Sequence, residues 1–128
     1  MQKLTKIILR VSLIILATAL TVAVILASLS PRVKGLIPPG NGDKAVHFAV
    51  YYLLFIVWYF TYLFNRKFLF VLLFLMGVAL EVLQEKYTTV RHFDWWDIAA
   101  NTSGLIFAYF AVQIIALLMK DLFKIRPL

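Results

Sequence analysis

The chain has 128 residues, of which 63% are hydrophobic and 15% are charged. Soluble domains contain about 45–50% apolar residues, so this composition predicts one membrane domain with no separate soluble domain. The net charge of +7 would suit nucleic-acid binding, but the basic residues lie at the ends of long apolar runs. We therefore expect no nucleic-acid partner. The absence of cysteine excludes disulfides, thiol nucleophiles and thiolate metal sites.

Four apolar runs cover residues 7–29, 45–64, 68–87 and 98–119. About 20 apolar helical residues are enough to cross the hydrocarbon core of a bilayer. The runs predict an all-α fold, an integral membrane bundle of four transmembrane helices that forms a single domain over residues 1–128. The first run follows a basic start, as in a signal peptide, but it is longer than an ordinary signal sequence and more spans follow. We expect it to be an uncleaved span.

Basic residues are unequally divided between the two sets of span ends. The larger group is Lys3, Lys6, Arg10, Arg66, Lys67, Lys120, Lys124 and Arg126. The smaller group is Arg32, Lys34, Lys44, Lys86 and Arg91. Because cytoplasmic loops carry the excess of Lys and Arg, both termini are predicted in the cytoplasm of a bacterium, with the protein in its inner membrane.

Three connections separate the predicted spans. Residues 31–43 are rich in Gly and Pro and predict the one long loop, a candidate lid, with Asp43 at its end as a candidate helix cap. The turn at residues 65–67 is short enough to make the second and third helices antiparallel neighbours. Residues 88–96 include Trp95 and Trp96, which predicts a segment along the headgroup layer.

Acidic and amide residues are concentrated at the predicted outer ends of spans two to four. Five of the six acids lie there, and helical spacing places them on shared faces. The residues that share a face are Asp43, His47 and Tyr51 in the second helix, Glu81, Gln84 and Glu85 in the third, and Asp97 and Asn101 in the fourth. Packing these stripes against one another predicts a polar recess near the outer leaflet, because exposure to lipid would be costly.

Glu81 directly follows the thirteen apolar residues 68–80, which puts it below the outer surface of the membrane. An ionisable residue at that depth is a functional-site candidate. One interpretation is a structural contact with Lys44, His47 or Arg91 that fixes helix register. The other is proton handling by Glu81 as a general acid or base, with His47 as proton carrier or ligand contact.

Arg91 and Lys44 are the predicted contacts for an anionic ligand, because a guanidinium group holds a carboxylate or phosphate with two parallel hydrogen bonds. The alternative for Arg91 is a solvated loop charge paired with Asp94. For Asp97 and Asn101, the sequence leaves open whether they orient the site or only cap and pin the fourth helix.

No metal site and no cofactor are predicted, since no diagnostic ligand spacing is present. A divalent metal is the lesser alternative, because several side chains offer nitrogen or oxygen ligands. These are His47, His92, Glu81, Asp94 and Asp97. Nothing identifies a covalent nucleophile, so the sequence leaves open whether the protein is an enzyme.

The order of these polar residues resembles the VanZ-like family of bacterial membrane proteins. The pattern is Asp43-Lys44-x-x-His47-Phe48-x-x-Tyr51, then Glu81-x-x-Gln84, then Arg91-x-x-Asp94-x-x-Asp97-x-x-x-Asn101-x-x-Gly104. The family takes its name from a protein associated with resistance to the glycopeptide antibiotic teicoplanin. The resemblance implies a place in the cell envelope rather than a particular reaction.

From the residues and the resemblance together we expect an outward-facing pocket that binds, and in one version modifies, a lipid-linked cell-wall precursor or a lipoglycopeptide. Glu81 and His47 are the predicted proton-handling residues. The predicted ligand-binding residues are Asp43, Lys44, Tyr51, Gln84, Arg91, Asp94, Asp97 and Asn101. Other expected partners are membrane lipids, and a homo-oligomer is left open. The alternatives are an acid–base or metal-assisted hydrolase or transferase, and a structural or transport module whose polar residues fix helix packing.

Overall fold

The computed structural model describes residues 1–123, and describes side chains for residues 1 and 3–119. Five helices make up this part of the chain, and it contains no strand. In chain order they are α1 (Gln2–Ser28), α2 (Pro31–Leu36), α3 (Asn41–Tyr59), α4 (Arg66–Tyr87) and α5 (Trp95–Phe123). The all-α prediction is confirmed for the described residues.

Three of the helical segments are long and apolar enough to cross a membrane. They are Lys3–Ser28, Arg66–Tyr87 and Trp95–Met119. These segments indicate a membrane protein, because each contains at least the 20 or so residues that a helical span requires. The 19-residue α3, the predicted second span, is not among them.

The second span was predicted over residues 45–64, which places its end later in the chain than the structure does. Helix α3 ends at Tyr59, and the chain then turns through Tyr62, whose φ is 57°. The Thr61 hydroxyl donates to the Trp58 carbonyl at 2.7 Å, which helps to close this turn. Asn65 then begins α4 by accepting a hydrogen bond from the Phe68 backbone N–H at 2.9 Å. The connection is therefore longer than the three residues predicted.

The two outer connections also differ from the prediction. Residues 31–36 of the expected loop form the short helix α2, with Pro31 at its first position, where a missing N–H costs nothing. Trp95 and Trp96 belong to α5 rather than to the preceding connection. Both indole side chains are highly exposed, as expected for residues at a membrane surface.

Helix α3 packs most extensively against α5, and the two run in the same direction. The beginning of α3 lies against the beginning of α5, and further along Phe55 and Tyr109 are in aromatic contact at 6.2 Å. Phe70 of α4 meets the same Tyr109, so α4 runs antiparallel to both helices. The predicted antiparallel direction of α3 and α4 is correct, but α5 is the principal neighbour of α3.

The close approach of α3 and α5 depends on Gly104. A β-carbon at this position would lie 2.3 Å from the backbone oxygen of Phe48 and 3.1 Å from the Tyr52 nitrogen. Only glycine leaves enough room for the two backbones, as is common between helices in membranes. Below this contact, α3, α4 and α5 bury an apolar core that includes Leu54, Phe55, Leu69, Leu105, Ala108 and Val112.

Helix α1 joins the bundle through several polar contacts along its length. The Trp58 indole N–H donates to the Thr21 hydroxyl at 2.9 Å, and Arg10 donates through Nε to the Thr61 carbonyl at 2.9 Å. Most other described side chains of α1 are exposed, and most of the exposed ones are apolar, as expected of a surface that faces lipid. The C-terminal end of α1 reaches the same end of the bundle as the start of α3, the end of α4 and the start of α5.

Candidate functional site

The predicted polar face of α3 is buried along its whole length. Asp43, His47 and Tyr51 are each at most 9% exposed. Asp43 does not cap the helix, because α3 begins two residues earlier, after Gly40, and makes no side-chain cap. Instead its Oδ2 forms an ion pair with Lys34 of α2. The shared face follows from the i, i+4, i+8 spacing.

Lys34 is a site residue that the sequence analysis missed. It was counted only among the charges at span ends, because its segment was predicted as a loop. Helix α2 carries Lys34 in its last turn and brings it to Asp43. The sequence signal was weak: a basic residue nine positions before a buried acid, across a segment rich in Gly and Pro.

Helix α4 contributes Glu81 and Gln84, both 1% exposed. Glu85, which was predicted on the same face, is exposed and does not join them. Glu81 Oε2 accepts a hydrogen bond from the Asp94 backbone N–H at 3.3 Å. None of the predicted ion-pair partners of Glu81 forms a salt bridge with it within the described part of the chain.

Lys44 instead joins α3 to the start of α5. Its ammonium group forms ion pairs with Asp94 and with Oδ1 of Asp97. Lys44 was predicted to contact an anionic ligand, but in this structure its charge is already balanced by two carboxylates. The hydrogen bond from Lys44 is the main cause that lowers the pKa of the Asp94 carboxyl below its ordinary value of 3.8.

Asp94 also begins α5, so the cap considered for Asp97 is supplied by Asp94. Its Oδ1 accepts a hydrogen bond from the Trp96 backbone N–H at 2.8 Å, as a helix cap does. Asp97 lies in the first turn and is buried rather than capping the helix end. Asn101, one turn later, is also buried and accepts from the His47 ring at 3.0 Å between Oδ1 and Nδ1.

Arg91 is buried, with only 6% of its surface exposed. The interpretation of Arg91 as a solvated loop charge paired with Asp94 is therefore wrong. One terminal nitrogen donates to the backbone oxygen of Ser28, at the end of α1, across 3.4 Å. The Nε of Arg91 is buried and has no hydrogen-bond partner among the described residues.

A cavity of about 100 Å³ lies between the end of α1, the end of α2 and the start of α3. Its polar wall consists of His47, Tyr51, Arg91 and Ser28, and its other lining residues are apolar. The Tyr51 hydroxyl, like Nε of Arg91, is buried without a hydrogen-bond partner among the described side chains. Two residues that line one small cavity thus each carry an unpaired buried donor, although buried donors are nearly always paired in proteins.

Gly77 of α4 is the second glycine that shapes the site. A β-carbon there would lie 3.2 Å from the Tyr51 hydroxyl and 3.3 Å from Nδ2 of Asn101. The absence of a side chain lets the polar faces of α3 and α5 lie directly against α4. This role was not predicted, because a single glycine in an apolar run does not reveal which helix it faces.

Most of the predicted site residues therefore meet at one end of the bundle. Helix α3 contributes Asp43, Lys44, His47 and Tyr51, helix α4 contributes Glu81 and Gln84, and Arg91, Asp94, Asp97 and Asn101 come from the connection and α5. Among the residues considered as metal ligands, His92 is exposed and lies outside the group. Ligand atoms of Asp43, His47 and Asp97 lie within 4.8 Å of one another.

No protein family, curated protein or solved structure matches this chain. The similarity to the VanZ-like family stays a prediction based on the order of the polar residues. The function of the protein is therefore inferred from the geometry of the site.

Proposed function

We propose that this protein binds an amphipathic molecule of the bacterial envelope and holds its anionic or hydroxylated head group in the cavity beside Tyr51 and Arg91. The observation that carries the proposal is that Tyr51 and Arg91 both line one cavity, and that each carries a buried donor without a partner, the Tyr51 hydroxyl and Arg91 Nε. An unpaired buried polar group costs roughly 1–3 kcal/mol. A ligand that accepts from both donors would recover that energy.

The chemistry of the cavity favours a ligand with a small acidic head. A volume of about 100 Å³ corresponds to roughly three water molecules in the liquid, so it suits a head group and not a whole lipid. Arg91 supplies the fixed fork of N–H donors that matches phosphate or carboxylate. The apolar lining from α1, α2 and α3, together with the lipid-facing surface around it, favours a ligand whose remaining part is hydrophobic.

The proposal includes a topology of four spans, with both termini in the cytoplasm and the cavity toward the extracytoplasmic side. Helix α3 lies lengthwise along α5, and its 19 residues extend about 28 Å, close to the thickness of about 30 Å of a hydrocarbon core. The excess of Lys and Arg at the opposite end supports the orientation. With the VanZ-like resemblance, this points to an inner-membrane protein that takes a lipid-linked cell-wall precursor or a lipoglycopeptide.

Acid–base catalysis on the bound molecule is the second candidate function, favoured by Glu81. This carboxyl group is 1% exposed and accepts one hydrogen bond from the Asp94 backbone, next to the polar cluster. A buried carboxyl group of this kind can transfer protons to or from a ligand. If the protein is an enzyme, it should turn over a purified lipid. Glu81→Gln should abolish this turnover and retain binding of the lipid.

The test of binding is the lipid content of the purified protein. We expect detergent-purified wild-type protein to enrich one class of anionic lipid, measured by mass spectrometry of the extract. Tyr51→Phe removes one hydroxyl and should reduce that enrichment about tenfold, which corresponds to about 1.4 kcal/mol. Tyr87→Phe, at an exposed tyrosine of the same end, is the matched control and should change nothing.

A second pair of variants separates binding from packing. Arg91→Gln should abolish the enrichment, while Arg32→Gln, at an exposed arginine, should preserve it. If Tyr51→Phe and Arg91→Gln lower the melting temperature but leave the lipid content at the wild-type level, the polar residues only fix helix packing. That outcome would overturn the proposed function.

A further inference from the structure

Three ligand atoms converge beside the cavity in what we call the Asp–His–Asp cluster, formed by Asp43, His47 and Asp97. The His47 Nε2 atom lies 3.9 Å from Oδ1 of Asp43 and 3.4 Å from Oδ2 of Asp97. All three residues are at most 9% exposed. Two helices supply them, so the packing of α3 on α5 assembles the cluster.

The hydrogen bond on the other side of the His47 ring determines what Nε2 offers. Nδ1 of His47 lies 3.0 Å from Oδ1 of Asn101, an amide oxygen that can only accept. With the Asn101 amide in this orientation the ring donates through Nδ1, and a neutral ring then presents the lone pair of Nε2 to the cluster. Metal-binding histidines are oriented in this way, by a hydrogen-bond acceptor on the opposite ring nitrogen.

The lone pair of Nε2 faces two carboxylate oxygens that have no proton to give when ionised. Lys34 binds Oδ2 of Asp43 and Lys44 binds Oδ1 of Asp97. Each lysine thus binds one oxygen of its carboxylate. The other oxygen, Oδ1 of Asp43 or Oδ2 of Asp97, remains for the cluster. Three electron-rich atoms at this separation in a buried site call for a positive charge between them, either a proton on Nε2 or a bound cation.

An independent observation comes from Asp43. Its Oδ1 atom is buried and has no hydrogen-bond partner among the side chains and backbone described, although the whole residue is 4% exposed. A carboxylate oxygen in that position is expected to have a donor or a metal ion. The distance of 3.9 Å between this oxygen and His47 Nε2 is too long for a hydrogen bond.

We propose that the Asp–His–Asp cluster is a binding site for a divalent cation of the Zn²⁺ class, held by Nε2 of His47, Oδ1 of Asp43 and Oδ2 of Asp97. Zinc bound at about 2.0–2.2 Å in tetrahedral geometry sets its ligands roughly 3.3–3.5 Å apart. The separation of 3.4 Å between His47 and Asp97 fits, and the 3.9 Å separation to Asp43 must contract by about half an ångström on binding.

The set of ligands also defines the class of ion. One imidazole and two carboxylates suit zinc and neighbouring first-row metals, while calcium prefers six or more oxygens. Three protein ligands leave a fourth position for water or for an acidic ligand, as in catalytic zinc sites. His47 lines the cavity as well. The cation would therefore lie beside the proposed head-group position, but its binding does not require the head group.

The experiment is a titration of Zn²⁺ alone into chelator-treated protein in detergent, followed by calorimetry. We expect one Zn²⁺ per chain in the wild type. His47→Gln should weaken the affinity at least about 100-fold, and Asn101→Ala, which removes the orienting acceptor, about 10–100-fold. His92→Gln is the matched control, because His92 is the other histidine and is exposed; its affinity should equal the wild type.

A measurement on the unmutated chain covers the case in which a variant does not fold. Co²⁺ in place of Zn²⁺ should give the intense visible absorption of a tetrahedral site, and ¹⁵N spectra should show the His47 Nε2 resonance moving on addition of Zn²⁺. The proposal is overturned if the wild type shows no saturable binding, if His47→Gln binds as tightly as the wild type, or if Nε2 carries a proton that Zn²⁺ does not displace.

Failure of this inference is distinguishable from failure of the proposed function. The lipid content of Tyr51→Phe is measured in chelator throughout, and the zinc titration is made without added lipid. Zinc binding with an unchanged lipid profile in Tyr51→Phe would retain the cation site and reject the head-group site. A changed lipid profile in Tyr51→Phe without zinc binding would retain the head-group site and reject the cation site.

Discussion

Substitution of Gly104 by alanine tests how closely α3 and α5 must approach. The added β-carbon would lie 2.3 Å from the Phe48 backbone oxygen, whereas ordinary contacts begin at 3.4 Å. The obstructing atoms belong to backbone and cannot rotate away. The two helices must therefore separate locally by about 1 Å, the difference between these two distances.

The expected cost is the balance of three effects. Overpacking costs about 1–3 kcal/mol, and a lost interhelical hydrogen bond in a membrane protein costs about 0.6 kcal/mol. Replacing glycine within a helix returns about 1 kcal/mol. The bond at risk joins His47 to Asn101, which lies three residues before Gly104 on the same side of α5. We expect Gly104→Ala to lower the free energy of unfolding by about 0.6–2.6 kcal/mol, the sum of these three effects.

The assay is unfolding in mild detergent titrated with sodium dodecyl sulfate, followed by near-ultraviolet circular dichroism of the packed aromatic residues. Two other glycines provide matched controls. A β-carbon at Gly77 would meet only side-chain atoms at 3.2–3.3 Å, and one at Gly35 would meet nothing within 4 Å. The predicted order of destabilisation is Gly104→Ala, then Gly77→Ala, with Gly35→Ala nearly neutral.

The reasoning is refuted if Gly104→Ala is as stable as Gly35→Ala. The same holds if Gly104→Ala is destabilised but the ¹⁵N resonances of His47 do not move, because the packing of α3 on α5 would then not set the site geometry.

Two further predictions concern the ion pairs. Lys34→Gln should destabilise the protein by roughly 1 kcal/mol, since it leaves the buried Asp43 carboxylate without its partner; Arg32→Gln in the same unfolding titration should have no effect, and equal losses in both would contradict the pairing. Lys44 lowers the pKa of Asp94 in the folded protein. The ionised carboxylate therefore contributes its full stabilisation of the fold above its ordinary pKa of 3.8, and this stabilisation is lost as pH falls through the lowered pKa. Asp94→Asn should therefore be less stable than the wild type at pH 7 and approach it in acid, and a stability difference that persists unchanged at pH 2 would disprove this.

The helices and the polar faces could be predicted from the sequence, because both depend on short-range spacing. Apolar runs of about 20 residues define long helices, and the i, i+4 positions of Asp43 and His47, or of Asp97 and Asn101, fix a shared face whatever lies opposite. The cost of exposing such faces to lipid brings them together at one end of the bundle. Glu85 is the exception, because it has the same i, i+4 spacing from Glu81 and yet its side chain is exposed.

The partners within the site were decided only by the tertiary structure. Lys44 meets Asp94 and Asp97, and His47 meets Asn101, across more than 45 positions of sequence. Such pairs depend on which helices are neighbours and on their relative height, which the contact at Gly104 sets for α3 and α5. Helical periodicity specifies the direction in which a side chain points around its own helix axis. It carries no information about the distance from that side chain to a neighbouring helix. For that reason the burial of Arg91, its unpaired Nε and the cavity beside it follow from the packed bundle alone.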